Sequence, residues 1–339
     1  MTPPQPSPEI YDLVIIGAGP AGLAAAVYSA REDISTLVVE KAVIGGMAAL
    51  TDVIDNYPGF ENGVAGLELS DKLYAQAKRF GAVIKTGVEV TAIHKADHGF
   101  TLDTKKLPLQ ARTVLITTGS TYRMLGVPGE TENIGRGVHF CATCDGPVYR
   151  GKDLIVVGGG NSAMQETLFL AKFATHITML VRGSALKGTA ILREQVQSLA
   201  NVTIVYDTTV TDIAVTDGNV SGVHAHTGGV AVSYGAPGIF VLIGLLANTA
   251  AFKDTLKLDA RDFIVTDAHF ETSLPAVYAA GDVRSGATWQ IASAVGEAVS
   301  ATLEIRTYLD RLAHAARHAS RATTSSPSAL VETPAPALE

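Results

Sequence analysis

Cys141 and Cys144 are the only two cysteines in 339 residues, and they stand together in the tetrapeptide CATC. The thiolate is the reactive form of cysteine, and two thiols at this spacing can close into a disulfide that opens and re-forms. A structural bridge here would close a tiny loop, where the chain-entropy gain is smallest. A secreted disulfide scaffold would carry many more cysteines. A zinc site would need two further ligands, and His139 nearby supplies a single histidine. The pair therefore reads as redox chemistry. Asp145 follows it directly and can give or take a thiol proton. Asp145 also suits a helix N-cap or first-turn carboxylate, and both roles can coexist.

Two glycine-rich turns flank this pair along the chain. The apolar run YDLVIIG at 11–17 enters GAGPAG at 17–22, continues as an Ala-rich helix to about Ala30, and is followed by STLVVEK at 35–41. DLIVVGGGNSA at 153–163, a helix through Ala171 and HITMLVR at 176–182 repeat the succession. Each copy is strand, glycine turn, helix, strand, the βαβ unit of dinucleotide binding. Gly17 and Gly158 make the tight turn, and Gly19 and Gly160 let the backbone approach a pyrophosphate. The small Gly22 and Ala163 let the helix pack on its strand. Pro20 and Ala21, and Asn161 and Ser162, open the two helices whose N–H groups face the anion. Glu40, with Lys41 beside it, ends the first unit where a carboxylate accepts from a ribose hydroxyl. The counterpart in the second unit is Val181, followed by Arg182.

Further short strands are expected at 82–93, 100–104 and 113–120, a β-meander ending at Gly119, and the same succession recurs over 202–244. AVYAAGDV at 276–283 brings Gly281 and Asp282 to a strand end, with a helix following from about Gln290. The expected fold is α/β: two Rossmann-like, three-layer ββα dinucleotide-binding domains, the second inserted in the first. Residues 9–119 and 247–319 would form the first domain and 120–246 the second, which carries CATC, with disordered tails at 1–8 and 320–339. Composition agrees, since 47% hydrophobic and 17% charged residues build a large core and exclude a disordered chain. A net charge of −7 leaves no basic surplus for nucleic acid. The apolar run IFVLIGLLA at 239–247 falls short of the roughly 18 residues that span a bilayer. The N-terminus has no basic or apolar signal region, so a soluble, cytoplasmic protein is expected. His224 and His226 on a strand, and His94 and His98 in a polar turn, are assigned no metal.

In this order the segments resemble the low-molecular-weight thioredoxin reductases, from about residue 10 to 310. GAGPAG with Glu40 resembles their FAD fingerprint. GGMAALTDVIDNYPGF at 45–60 resembles their flavin-side segment, placing Gly46, Asn56 and Met47 (where glutamine is usual) beside the cofactor. TTGSTYRMLGVPGE at 117–130 resembles the crossover between domains, CATCDG the redox centre, and AAGDV at 279–283 the late flavin motif. Gln290 and Ile291 would serve the flavin pyrimidine edge. The resemblance implies a homodimeric, FAD-dependent disulfide oxidoreductase that exchanges two electrons with a thioredoxin-like protein. It also implies that Cys144 faces the flavin, Cys141 engages the partner, and Asp145 is the general acid and base.

The electron partner implied by the family is NADPH, yet its basic cluster HRRxxxR has shrunk to Arg182 and Lys187. Trp289 stands before Gln290 where arginine is usual, an indole suited either to stacking on a ring system or to packing. A relative that uses a second FAD in that pocket, or ferredoxin, in place of NADPH is therefore a rival expectation. A redox-sensing flavoprotein without turnover is another, which the retained Asp145 disfavours.

Overall fold

The computed structural model describes residues 10–51, 53–97 and 99–324. Strand β1 (Ile10–Ile16) buries Leu13, Val14 and Ile15 completely, as a strand covered on both faces must. Helix α1 (Pro20–Arg31) follows with Gly19 as its N-cap and Pro20 in the first turn, where the missing N–H costs nothing. β2 (Thr36–Glu40) lies parallel to β1. After α2 (Gly66–Arg79), β3 (Val83–Thr86) pairs parallel with β2. β4 (Val90–Ala96), β5 (Gly99–Thr104) and β6 (Leu109–Ile116) form an antiparallel meander, and β6 runs back parallel to β1. The single strand expected over 82–93 is thus two strands with different partners. They part at Gly87, whose φ of +66° is a left-handed value that favours glycine.

β7 (Ser120–Tyr122) then leads into a second unit of the same design. It comprises β8 (Val138–His139), α3 (Ala142–Asp145), β9 (Leu154–Val157), α4 (Asn161–Leu170), β10 (Ile177–Leu180), α5 (Ala190–Gln197) and β11 (Val202–Val205). An antiparallel sheet of β12 (Thr208–Thr216), β13 (Asn219–Thr227) and β14 (Val230–Gly235) comes next, and β15 (Gly238–Val241) returns to the parallel sheet, ordered β11-β10-β9-β15-β8. Alternation along the strands builds the three layers. Val156, Met179 and Phe240 pack with Met164 of α4, while Ile155, Leu180 and Ile239 pack with Ile213 and Val223 of the antiparallel sheet.

β16 (Leu245–Ala247) pairs antiparallel with β7, so the chain enters and leaves the second unit along one two-stranded ribbon. β17 (Val277–Ala279) completes the first sheet by pairing with Val114–Ile116 of β6, beyond the stretch that β5 occupies. α6 (Ile291–Thr324) packs on α1 through the buried Ala298, Ala301 and Ile305. The expected α/β architecture, with one nucleotide unit inserted in another, is the one observed. α6 continues past Ser320, where a tail was expected to begin, because Ala-rich sequence carries the helix on. The remaining tail residues, 1–8 and 325–339, lie outside the described residues.

Candidate active site

Cys141 and Cys144 are joined in a disulfide with Cα atoms 5.3 Å apart. Cys141 is the N-cap of α3, and its Sγ accepts the Cys144 N–H at 3.2 Å. Glu166 of α4 lies against the same turn, its Oε2 accepting the Ala142 N–H at 2.9 Å and its carboxylate also the Thr143 N–H. Burial holds the Glu166 carboxyl above the usual range, and the two backbone donors pull it partly back. Asp145 ends α3 with Oδ2 3.4 Å from Nδ1 of the buried His139. On its other side His139 Nε2 is 2.7 Å from the Tyr149 hydroxyl. Tyr122 of β7 stacks on Phe140 at 4.9 Å, and burial, then the charges of Asp282, Asp145 and Glu166, push its phenol up to about 12.

The disulfide reaches across to the first unit. The Gln290 side-chain amide points its N–H at Cys141 Sγ, 4.0 Å away, while Asn56 Nδ2 donates to Gln290 Oε1 at 3.1 Å. Two segments of the first unit, far apart in sequence, are thus linked to the redox pair through Gln290.

The first glycine turn supplies the adjoining cradle. Gly17 has φ +108°, and a Cβ there would meet the Thr117 carbonyl oxygen at 2.5 Å. A Cβ on Gly22 would overlap the Gly17 carbonyl, whereas one on Gly19 would meet nothing within 4 Å. α1 has no side-chain cap, so the Ala21 and Gly22 N–H groups are left to an anion in that open space, while the Leu23 N–H already bonds the Gly19 carbonyl at 3.0 Å. The turn bearing Gly46 and the half-exposed Met47 is docked here by Gly45 N–H on Ala18 O at 2.8 Å. Glu40 accepts the N–H groups of Ala18 and Ala42 at 2.9 and 2.8 Å, with lone pairs left for hydroxyls, and Lys41 beside it is exposed. Gly281, at φ +73°, is wedged where α1 and α6 begin: a Cβ would stand 3.2 Å from both Ala21 and Ala294. Burial, then Glu297, raises the Asp282 carboxyl to about 6. Gly119 faces open space, and Ile291 opens α6. An uncapped helix start, an open glycine and a strand-end carboxylate fit the diphosphate and ribose of FAD.

The second turn repeats the backbone but not the side chains. Gly158 holds φ +147°, Gly160 N-caps α4 and faces open space, Ser162 is exposed, and Ala163 is fully buried. Asn161, expected at the phosphates, turns its Oδ1 to the Thr189 N–H at 2.8 Å. The Lys187 N–H is bonded to Gly159 O at 2.8 Å, so the segment after β10 is tied across the turn. Val181 is buried against Gly159, while Arg182 and Lys187 are exposed. The turn fits a diphosphate, with two cations and no carboxylate at its rim. Trp289 packs on its own unit, its indole 6.0 Å from the Phe263 ring and 5.6 Å from the Arg261 guanidinium, with Nε1 buried and without a hydrogen-bond partner among the described residues.

Of the other histidines, His94 lies on β4, not in a turn, bonded to Asp103 at 2.9 Å, and His98 falls outside the described residues. His224 on β13 is exposed and bonded to Ser233. Sequence reading overlooked the HxxxH of His314 and His318, whose Nε2 atoms are 3.3 Å apart on α6. Among the described residues no group of three or more His, Cys, Asp or Glu could hold a metal.

The family model for pyridine nucleotide-disulphide oxidoreductases matches residues 11–298. The thioredoxin reductase of Bacillus subtilis is 38% identical over 307 residues, which span 90% of this chain and 96% of that protein. The crystal structure of thioredoxin reductase from Streptococcus pyogenes superposes with a TM-score of 0.86 at 36% identity, covering 90% of this chain and all of that one. The thioredoxin reductase of Giardia duodenalis superposes at 0.84 with 28% identity, covering 89% of this chain and 99% of that one.

Proposed function

Since the chain belongs to the pyridine nucleotide-disulphide oxidoreductases, and among them to the low-molecular-weight thioredoxin reductases, we propose that Cys141 and Cys144 relay two electrons between an FAD on the first glycine turn and a thioredoxin-like protein. The enzyme is an FAD-dependent disulfide oxidoreductase. The observation that carries the site assignment is the reach of Gln290, itself held by Asn56, to Cys141. It sets the disulfide beside the segments that adjoin the first cradle.

When bound, the flavin supplies reversible two-electron exchange, and the protein supplies position and protons. The backbone of α1 and the Glu40 carboxylate hold the diphosphate and ribose. Glu166 fixes the turn that carries both cysteines. Cys144 serves the flavin side, Cys141 attacks the partner, and Asp145 moves the thiol proton. Protein given two electrons per chain and mixed anaerobically with an oxidised thioredoxin should convert one disulfide per chain, and Cys141→Ser or Cys144→Ser should abolish this. Full conversion by both variants would overturn the assignment.

The electron donor has a second reading. Two lost ionic contacts at about 1.5 kcal/mol each weaken a 2′-phosphate by about a hundredfold, and Val181 offers no carboxylate to NADH. We therefore expect NADPH to bleach the flavin slowly or not at all, with dithionite bleaching it fully, and ferredoxin or a second FAD in the pocket taking the place of NADPH. Rapid stoichiometric reduction by micromolar NADPH would return the chain to NADPH dependence. Val181→His with Gly183→Arg should restore the response if the pocket is empty, but not if a second FAD fills it. Among the described residues no helix is long and apolar enough to cross a membrane. The same reading makes the protein a cytoplasmic homodimer, which light scattering tests.

A further inference from the structure

His139 is 5% exposed, inside the second unit and next to the turn that bears the redox pair. Its ring is T-shaped to Tyr149 and lies 5.3 Å from Phe240 of β15. We propose that His139 is a positioning residue that stores the proton Asp145 exchanges with the cysteine thiols, with Tyr149 as its second partner. The proposal rests on the reading of Asp145 as the acid and base of the pair.

The geometry serves both protonation states. A hydroxyl donates or accepts. The neutral ring left when Nδ1 gives up its proton keeps its Nε2–H on the Tyr149 oxygen and accepts from a protonated Asp145 at Nδ1. The charged ring can donate from Nε2 to the Tyr149 oxygen and from Nδ1 to the carboxylate, so a proton comes and goes without repacking. Burial, then the charge of Asp145, pushes the Tyr149 phenol up to about 12, which keeps its hydroxyl proton in place. The charged groups around the ring are few. Asp145 faces it from α3, and the Lys152 ammonium lies 5.7 Å from the far partner's ring. Glu166 of α4 is engaged with the Ala142 and Thr143 N–H groups, and β15 contributes only the apolar Phe240.

In turnover, one cysteine thiolate bonds to a partner sulfur as the partner S–S bond breaks. The other partner sulfur leaves with the electron pair and takes the Asp145 proton, which His139 resupplies from Nδ1. The second cysteine returns a proton through Asp145 to His139, attacks the mixed disulfide and expels the remaining partner thiolate. Two electrons leave the enzyme, and the stored proton is lent and restored.

The test uses pre-reduced, flavin-loaded protein in stopped flow with two disulfides. Bis(2-hydroxyethyl) disulfide expels an alkyl thiolate that needs a proton, while 5,5′-dithiobis(2-nitrobenzoate) expels a stable aryl thiolate that does not. His139→Gln should lower the alkyl-to-aryl rate ratio by about tenfold or more and erase the pH limb seen with the alkyl substrate. Tyr149→Phe should move that limb to lower pH, because the charged ring loses an acceptor. Equal slowing of both substrates by His139→Gln, or an unmoved limb in Tyr149→Phe, overturns the proposal, and the second variant decides alone if the first fails to hold flavin. Asp145→Asn separates the two readings. If it lowers the ratio and His139→Gln does not, only the proton store fails. If it leaves the ratio unchanged, the role of Asp145 fails with it.

Discussion

Glu166 places a negative charge against the first turn of α3, where backbone N–H groups would otherwise favour a thiolate. Glu166→Gln keeps an acceptor and removes the charge. The thiol titration of the reduced pair should therefore fall by roughly 0.2–0.7 unit, the equivalent of about 0.3–1 kcal/mol. A thiolate absorbance titration with an unmoved midpoint would remove Glu166 from the account. Asp282 gives a pH dependence of the opposite kind. Its carboxyl is raised from 3.8 to about 6, so the native state binds more protons than the unfolded one between those values. Stability falls as pH rises through that window. In flavin-free protein, Asp282→Asn should raise Tm above wild type at pH 7, with the gain vanishing below pH about 4. Calorimetry across that range checks the sign. Cys141, Cys144 and Asp145 were legible because they are neighbours in sequence. Glu166 and His139 were not, since each acquires its partner only when separate segments are packed together.

At the level of elements, the first βα turn separates packing from binding. Gly22→Ala forces a methyl into the Gly17 carbonyl. It should cost about 1–3 kcal/mol of stability as well as flavin retention. Gly19→Ala points into open space and should leave Tm of the flavin-free protein within about 1 °C of wild type while lowering flavin retention. Thermal melts paired with flavin release on dialysis distinguish the two, and equal melting loss in both would refute the division. Both turns could be read from sequence because spacing alone specifies a tight turn, a close approach and a helix contact. The 82–93 stretch misled because its alternation suits either pairing, and only the turn at Gly87 decides that β3 joins β2 while β4 starts the meander. The tie of Asn161 to Thr189 was equally hidden, being a contact between a helix start and a loop beyond β10.

For the whole molecule, repetition of the βαβ unit made insertion legible, while the place of re-entry depended on β17 finding β6. That pairing joins Val277–Ala279 to Val114–Ile116, across the entire inserted unit. A ribosome emits the chain in order, so the inner unit has all its strands once β16 is out, while the outer sheet still lacks β17 and α6. The outer unit must wait, with the buried edge of β6 uncovered, from the synthesis of Ile116 until Val277–Ala279 emerges beyond a finished neighbour. Stalled nascent chains ending just after Asn248, spaced clear of the exit tunnel, should therefore yield a protease-resistant core from the inner unit and none from the outer. Resistance of the outer segment at that length would show that its sheet closes without the return strand. The order of birth thus gives the half that carries the cysteines its shape before the half built to hold the flavin exists.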